Sequence, residues 1–307
     1  MQKIILSASR RTDIPAFYMD WFMAGIDRGE FTVINPFNNQ ARQVPAGPDR
    51  VHTIVFWSKN FAAFLNGGYG EQLLERGYHL FFNFTVNSRN RLLEPRLPPL
   101  AERLEQMRRL SARFGPERLQ WRFDPICFYT TGEGRLHDNL GDFEAIAAAA
   151  SGAGVKNCVT SFVDLYRKVV RRAERLDGFS FVEPDMARRV SVVKDMAARL
   201  SAGGINLSAC CEKDLLAALP PDFSARSAAC IPGPDFARRD GGSISLRKDS
   251  GQRAAAGCGC TISTDIGSYR DQPCYHNCLF CYAHPSEAVP PHPEAGEQPR
   301  TSSLEYP

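Results

Sequence analysis

A series of short, almost continuously apolar segments recurs along the first two thirds of the chain and constrains the fold more than any other feature. Strands buried on both faces of a parallel sheet have this character, because neither face meets water. Longer amphipathic stretches separate these segments, with Leu100, Leu104 and Met107 at helical spacing in one of them. The segments predict seven strands, at residues 4–8, 31–35, 53–57, 79–85, 119–124, 158–163 and 205–209.

Strands that alternate with helices predict an α/β fold in which the sheet closes, fully or partly, into a (β/α) barrel of the TIM type. We assign the barrel-like domain to residues 1–218, an irregular cysteine-rich segment to 219–284, and a disordered tail rich in Pro, Glu and Ser to 285–307. The chain has 307 residues, of which 43% are hydrophobic, so it has enough apolar material for a core.

The sequence also narrows the compartment. It contains no apolar run of the roughly 18 residues that a membrane helix requires. Its beginning lacks the long apolar segment of a secretory signal, so we expect a cytoplasmic protein without a membrane partner. The net charge of +3 is too small to be typical of a nucleic-acid-binding protein.

Polar side chains follow each predicted strand. Because barrel active sites lie at the carboxyl ends of the strands, these side chains predict one pocket for an anionic or zwitterionic ligand. Taken singly, each is equally compatible with a loop cap or a surface ion pair. The candidates for holding ligand or substrate are Arg10, Arg11, Asp13, Lys59, Arg122, Asp124 and Glu212, and those for excluding water are Phe37, Trp57 and Tyr282.

The chain has ten cysteines, and half of them fall within residues 258–281. Clustered cysteines in a reducing compartment indicate metal ligands before they indicate disulfides. Cys274, Cys278 and Cys281 have the spacing Cys-x3-Cys-x2-Cys, with the aromatic Phe280 before the third. Three thiolates at this spacing suit three corners of a four-iron four-sulfur cluster and leave the fourth iron without a protein ligand, whereas a ferredoxin supplies four cysteines.

Zinc is the alternative metal. Cys258 and Cys260, together with two cysteines of the triplet, would supply the four thiolates of a structural zinc site. His276 and His284 lie close enough in sequence to be further candidate ligands.

The remaining cysteines have other interpretations. Cys258 and Cys260 are too close in sequence to bind one cubane, but with Cys210 or Cys230 they could form a second cluster or a zinc site. Buried packing is the interpretation for three others, Cys127, Cys158 and Cys211. Between the cysteine pair and the triplet, Asp265 and Tyr269 are candidates for orienting a ligand at the cluster or for capping a turn.

The triplet, with its aromatic residue, resembles the cluster motif of the radical S-adenosylmethionine superfamily. The resemblance implies a four-iron four-sulfur cluster on Cys274, Cys278 and Cys281, and S-adenosylmethionine as the second cofactor. Reduction by an electron-donor protein would then cleave the sulfonium to a 5′-deoxyadenosyl radical. The superfamily core is a full or partial α/β barrel in which the motif usually follows the first strand. Here the motif follows the last strand, which a closed barrel would place beside the first.

The chain as a whole, over about residues 4–284, resembles a largely uncharacterised bacterial family, domain of unknown function 1848. The resemblance rests on long, unusual strings: SASRRTDIPAFY (7–18), NPFN (35–38), VFWSKN (55–60), WRFDPI (121–126), SFVDLYRK (161–168) and GCGCTISTDIGSYRDQPCYHNCLFCYA (257–283). It implies that the polar residues after the strands and the C-terminal cysteines belong to one site.

Three functions follow as hypotheses. The first is an iron–sulfur enzyme of radical S-adenosylmethionine type acting on a small or modified polar substrate. The second is a non-catalytic domain in which zinc or a cluster fastens the C-terminal segment to the barrel. The third is nucleic-acid modification or repair through a basic face formed by Arg171, Arg172, Arg175, Arg188 and Arg189, although a solvated helix face explains these arginines equally well.

Overall fold

The computed structural model describes residues 2–35, 38–132, 134–221, 223, 225–283 and 285–288. Phe37, His284 and the predicted tail beyond residue 288 lie outside the described residues. The strands are β1 Ile4–Ala8, β2 Glu30–Ile34, β3 Ala41–Pro45, β4 Val51–Ser58, β5 His79–Thr85, β6 Leu119–Ile126, β7 Phe128–Thr130, β8 Leu136–Asp138, β9 Asn157–Phe162, β10 Ser180–Val182, β11 Asn206–Ala209, β12 Arg226–Ser227 and β13 Thr264–Asp265.

The helices alternate with most of these strands. They are α1 Ile14–Phe17, α2 Met19–Arg28, α3 Ala62–Asn66, α4 Tyr69–Glu75, α5 Leu100–Phe114, α6 Phe143–Gly152, α7 Arg167–Ala173, α8 Met186–Ala202, α9 Lys213–Ala218 and α10 Gly233–Asp240. Short 3₁₀ turns occur at Pro116–Arg118 and Ala254–Ala256. No helix among the described residues combines the length and the apolar character that crossing a membrane would require.

Eight strands form one sheet in the order β12-β11-β9-β6-β5-β4-β1-β13, and every neighbouring pair is parallel. The predicted α/β fold with a large parallel sheet is therefore confirmed. The edge strands are β12 and β13, and no pairing between them occurs in the described part of the chain, so closure into a full barrel is not shown.

The predicted strand at residues 31–35 is not part of the parallel sheet. It corresponds to β2, which forms an antiparallel hairpin with β3. Its residues alternate between exposed and buried, as in a ribbon with one face in water, and this alternation distinguishes it from the continuously apolar strands. The other six predicted strands all lie in the sheet and agree with the observed bounds to within two residues at each end.

The sheet is buried on both faces, which explains its continuously apolar strands. Consecutive strand residues point to opposite faces. Phe56 and Phe82 accordingly pack in the core formed with the helices α2, α5, α6 and α8, whereas Val55 and Phe81 pack in a second core on the other face. This second face is covered by residues 228–260, an irregular segment whose regular structure is mainly α10.

The covering segment is anchored to the sheet through Asp240 at the end of α10. The Asp240 side chain, 3% exposed, accepts hydrogen bonds from Arg118 at 2.6 Å and Arg239 at 2.9 Å, and it lies 3.7 Å from His79. Burial opposes the charge of this carboxylate, but the hydrogen bonds from the two arginines outweigh it and lower the pKa of Asp240. The division of the chain at residue 218 remains a prediction.

Candidate functional site

A cavity of about 740 Å³ opens at the carboxyl ends of the parallel strands. Sites for small ligands have volumes of roughly 300–1,000 Å³. The structure brings most of the predicted site residues to this one cavity, although they come from loops far apart in sequence. The predicted residues that line it are Arg10, Arg11, Asp13, Lys59, Arg122, Asp124, Asp265, Tyr269, Cys258, Cys260, Cys274, Cys278 and Cys281.

Asp13 organises the loop after β1. Its carboxylate accepts hydrogen bonds from the backbone N–H of Ala16, where it caps α1, and from the backbone N–H of Lys59 at 2.9 Å. It also lies 2.8 Å from Nε2 of His276, a side chain that is 2% exposed. His276 is thus held by a carboxylate, and Asp13 connects the first strand to the cysteine triplet rather than standing free in the cavity.

Asp265, at the end of β13, has a similar connecting role. It accepts a hydrogen bond from the backbone N–H of Arg10 at 3.0 Å and forms an ion pair with Nε of Arg11 at 3.3 Å. Arg10 donates through Nη1 to Ser263, while its buried Nη2 atom finds no hydrogen-bond partner among the described residues. A buried donor without a partner beside a cavity is typical of a site that receives a ligand.

Arg122 and Asp124 form a buried ion pair on β6, and Ser161 donates a hydrogen bond to the same carboxylate. Burial opposes both charges, but the partners outweigh it: Asp124 raises the pKa of Arg122, and Arg122 lowers the pKa of Asp124. The Trp57 ring lies 5.1 Å from the Arg10 guanidinium and 5.4 Å from that of Arg122, so one indole supports both cations beside the cavity.

Lys59 extends towards the triplet. Its ammonium group pairs with Glu94 at 2.5 Å and lies 5.1 Å from the ring centre of Phe280. Burial opposes the charge, but the Glu94 carboxylate outweighs it and raises the pKa of Lys59. The thiol of Cys278 is 4.0 Å from the same carboxylate. Glu94 is not among the predicted site residues, although it is a carboxylate between apolar neighbours in the string LLEP (92–95).

The triplet segment is docked by backbone contacts. Arg172 of α7 donates to the carbonyl oxygens of Leu279 at 2.6 Å, Cys281 at 3.0 Å and Cys278 at 3.2 Å. Asn277 has a left-handed backbone conformation, with φ of +53°, which asparagine tolerates better than most residues. The loop after β5 contributes the Leu93 carbonyl, which accepts from the Leu279 N–H at 2.8 Å. Sequence reasoning treated Arg172 only as part of a basic face.

Burial raises the pKa of all three triplet thiols, and none of the three forms a disulfide. Thiols of this kind remain protonated until a cation binds them, and a metal ion then displaces the protons. The triplet follows β13, and β13 pairs directly with β1. The cysteines therefore lie beside the end of the first strand without any need for the sheet to close.

Five other cysteines meet at the same cavity and form what we call the cysteine ring. The Cys210 sulfur is 3.7 Å from that of Cys211 and 4.0 Å from that of Cys230. Cys258 and Cys260 pack in the same buried cluster as Cys210 and Cys230, and Cys211 packs against this cluster. The five thiols therefore form one group, and all five residues line the cavity.

The ring has its own electrostatics. Hydrogen bonds from Cys211 and Cys230 lower the pKa of Cys210, and those from Cys230 and Cys258 lower the pKa of Cys260. Arg122 also donates a hydrogen bond to the Cys230 sulfur. In the part of the chain that the structure describes, no three His, Cys, Asp or Glu side chains are grouped so that they could hold a metal ion as they stand.

Two single residues have surroundings that the sequence does not indicate. The Cys211 sulfur lies 3.7 Å from that of Cys210 and Cys211 lines the cavity, whereas Cys127 and Cys158 are buried in the cores. Glu212 is not among the described residues that line the cavity. Its carboxylate accepts a hydrogen bond from the Phe162 N–H at 2.8 Å and lies 3.8 Å from Arg189, so it fastens α9 to β9.

Sequence comparison identifies the family. The sequence model described as "Domain of unknown function (DUF1848)" matches residues 5–283. The chain belongs to this family. The match extends from the first strand to the end of the triplet segment, so it spans both the sheet and the cysteines of the site. No curated protein matches the chain. Since the family description names no function, function is inferred from the site.

Proposed function

We propose that the protein is an iron–sulfur enzyme of radical S-adenosylmethionine type that acts on a polar substrate. The observation that carries this proposal is that Cys274, Cys278 and Cys281 line the same cavity as the charged groups at the ends of β1 and β6. Three thiolates at this spacing suit a four-iron cluster that keeps one iron free of protein ligands. When bound, such a cluster would supply an open iron for the amino and carboxylate groups of S-adenosylmethionine and would pass an electron from the donor protein to its sulfonium.

The position of the triplet in space supports the proposal. The superfamily usually places its motif after the first strand, and here the motif follows β13, which is the direct neighbour of β1. The Tyr282 hydroxyl donates to the Arg10 carbonyl at 3.0 Å, and the Tyr18 hydroxyl donates to the Pro273 carbonyl at 2.6 Å. Both contacts hold the triplet segment against the part of the chain that follows β1. The triplet therefore lies beside the end of the first strand, although it comes after the last strand in the sequence.

The residues around the triplet fit a cluster and a zwitterionic ligand. Lys59 and Arg172 place positive charge near the thiols, which favours thiolates and the negative charge of a cluster. Nη2 of Arg10, which is buried without a hydrogen-bond partner among the described residues, is a donor for a carboxylate, and Asp124 supplies an anionic group for an amine or hydroxyl. The Trp57 ring packs against the guanidinium groups of Arg10 and Arg122, and both Trp57 and Tyr282 line the cavity.

The proposal includes a small or modified polar substrate, an electron-donor protein and a cytoplasmic location. We also infer that the sheet is a partial (β/α) barrel of the superfamily kind. Nucleic acid is a less favoured substrate, because the suggested basic face is partly used within the fold. Arg172 binds the triplet carbonyls, and Arg189 donates to Glu183 and to the Pro184 carbonyl.

Cleavage of S-adenosylmethionine by anaerobically purified protein with dithionite as the reductant tests the proposal. The wild-type protein should be brown, absorb near ~400 nm and release 5′-deoxyadenosine. Cys278→Ser should abolish the product, whereas Cys127→Ala, which alters a buried cysteine outside the cavity, should preserve it. Colourless protein that holds stoichiometric zinc at the triplet and releases no 5′-deoxyadenosine would instead support the metal-stapled domain.

A further inference from the structure

The cysteine ring has no role in the proposed chemistry at the triplet. One or two buried cysteines need no special explanation, since a free cysteine packs as a small hydrophobe. Five in one buried cluster are different, because they come from three separate parts of the chain. Cys210 and Cys211 follow β11, Cys230 follows β12, and Cys258 and Cys260 precede β13.

The spacing within the ring suits tetrahedral metal coordination. Two thiolates bound to one tetrahedral metal through bonds of about 2.3 Å are ~3.8 Å apart. The Cys210 sulfur lies 3.7 Å and 4.0 Å from those of its two neighbours. These separations are much longer than the roughly 2.05 Å of a disulfide bond. A metal ion that enters can take Cys210 and one of these two neighbours as its first two ligands, and the other thiols belong to the same buried cluster.

The charges beside the ring favour thiolates. The Arg122 side chain is buried, and its guanidinium donates directly to the Cys230 sulfur. Arg10 interacts electrostatically with Cys260 and Cys230, and its Nη2 atom is buried without a hydrogen-bond partner in the described part of the chain. Four thiolates around a divalent ion carry a net charge of roughly −2, so an anionic centre here would be stabilised by these two cations.

The backbone is also shaped to bring the thiols together. Cys211 has a left-handed conformation, with φ of +59°, which is rare for a residue with a side chain and concentrates at functional sites. Gly259 separates Cys258 from Cys260, and a Cβ at this position would lie 2.8 Å from the Ala228 carbonyl oxygen. Only glycine therefore allows the two cysteines to approach the strand segment that leads to Cys230.

We propose that the cysteine ring is a second metal centre, distinct from the triplet, which binds zinc or iron in tetrahedral sulfur coordination. Binding releases the thiol protons to solvent and leaves thiolates on the metal. The centre joins the ends of β11 and β12 to the segment that enters β13 and so fastens the irregular cover of the second sheet face. It lies on the same cavity as the triplet.

Metal analysis of full-length variants tests this proposal. The triple variant Cys274→Ser/Cys278→Ser/Cys281→Ser removes the triplet and should retain at least one metal ion per chain. Cys230→Ser/Cys260→Ser, combined with the triple variant, should lose it. Cys127→Ala/Cys158→Ala, combined with the triple variant, is the control and should retain the metal. Iron with acid-labile sulfide would identify a cluster, and zinc without sulfide would identify a zinc site.

A second measurement does not depend on the folding of these variants. In the wild-type protein, chelation should raise the alkylation rates of the ring cysteines and the proteolysis of residues 228–260, while Cys158 stays protected. The proposal is overturned if the triplet variant holds no metal, if the ring substitutions leave the metal content unchanged, or if the ring cysteines prove to be disulfide-bonded. Retained ring metal without any S-adenosylmethionine cleavage would contradict the proposed function and leave this inference intact.

Discussion

Replacement of Arg172 by alanine tests how the cysteine triplet is held against the fold. The Arg172 guanidinium binds three carbonyl oxygens of the triplet segment, two of them at 2.6 Å and 3.0 Å. A hydrogen bond that involves a charged group contributes about 1.5–3 kcal/mol. Arg172 is only half-buried, so the lower value of about 1.5 kcal/mol applies to each of the two short bonds, and solvent screening reduces their sum. The two bonds then stabilise the docked triplet segment by about 2 kcal/mol.

A loss of about 2 kcal/mol raises the population of undocked states roughly 30-fold, since about 1.4 kcal/mol corresponds to a factor of ten. Cys278 is 4% exposed, so an alkylating reagent reaches its thiol only from such states. The labelling rate of Cys278 in chelator-treated Arg172→Ala protein should therefore rise by about the same factor. Peptide-level mass spectrometry over a time course of labelling measures this rate directly.

The neighbouring residue provides a matched control. Arg171→Ala removes the same charge from an exposed position of α7 and should leave the Cys278 labelling rate unchanged. Cys158, buried in the core of the sheet, reports global unfolding within the same samples. An unchanged rate at Cys278 in Arg172→Ala, or an equal acceleration at Cys158, would refute the assignment of Arg172 as the residue that docks the triplet.

Three further predictions concern the supports of the site. Gly259→Ala should lower the free energy of unfolding by about 1–3 kcal/mol, because the new Cβ meets the Ala228 carbonyl oxygen. Gly141→Ala, where a Cβ meets no atom within 4 Å, is the control and should change it much less in the same urea denaturation. Asn277→Ala should lower the free energy of unfolding by about 1 kcal/mol, since alanine tolerates a φ of +53° poorly. Asn277→Gly should lower it less, and equal losses in the two variants would contradict this explanation. Asp240→Asn should cost about 2 kcal/mol at neutral pH, because two partly buried arginines lose their carboxylate. The folded pKa of Asp240 is lowered below its unfolded value of about 3.9, so its contribution is complete above that pH and is lost as the pH falls through the folded pKa. Urea denaturation should therefore show the difference from the wild-type protein shrinking below pH ~4, and a difference independent of pH would contradict the ion-pair assignment.

Most of the parallel sheet could be predicted from the sequence because continuous apolar runs identify strands buried on both faces. The segment at residues 31–35 is a strand outside the parallel sheet, because its residues are strand formers but alternate between exposed and buried. The short strands β12 and β13 were missed because two residues carry no periodicity. Their positions are set by pairing with β11 and β1, which is long-range information.

The site residues that follow directly after a strand could be predicted, because the carboxyl ends of parallel strands meet at one edge of the sheet. Arg10, Lys59 and Arg122 were expected at one rim, and all three line the cavity. The sequence suggests that Cys258 and Cys260 could meet Cys210 or Cys230, but the inclusion of Cys211 was not predictable, because it depends on how the irregular cover folds over the second face. Among the described residues Glu212 does not line the cavity, because its side chain turns to the neighbouring Phe162 N–H instead.

The electron paramagnetic resonance spectrum of the reduced protein, recorded with and without S-adenosylmethionine, tests the central proposal most directly. Cys230→Ser/Cys260→Ser protein is the suitable sample, since any cluster signal then comes from Cys274, Cys278 and Cys281. The proposal predicts a four-iron cluster signal that changes when S-adenosylmethionine is added, because one iron lacks a protein ligand. A signal that S-adenosylmethionine leaves unchanged, or the absence of any iron at the triplet, would contradict it.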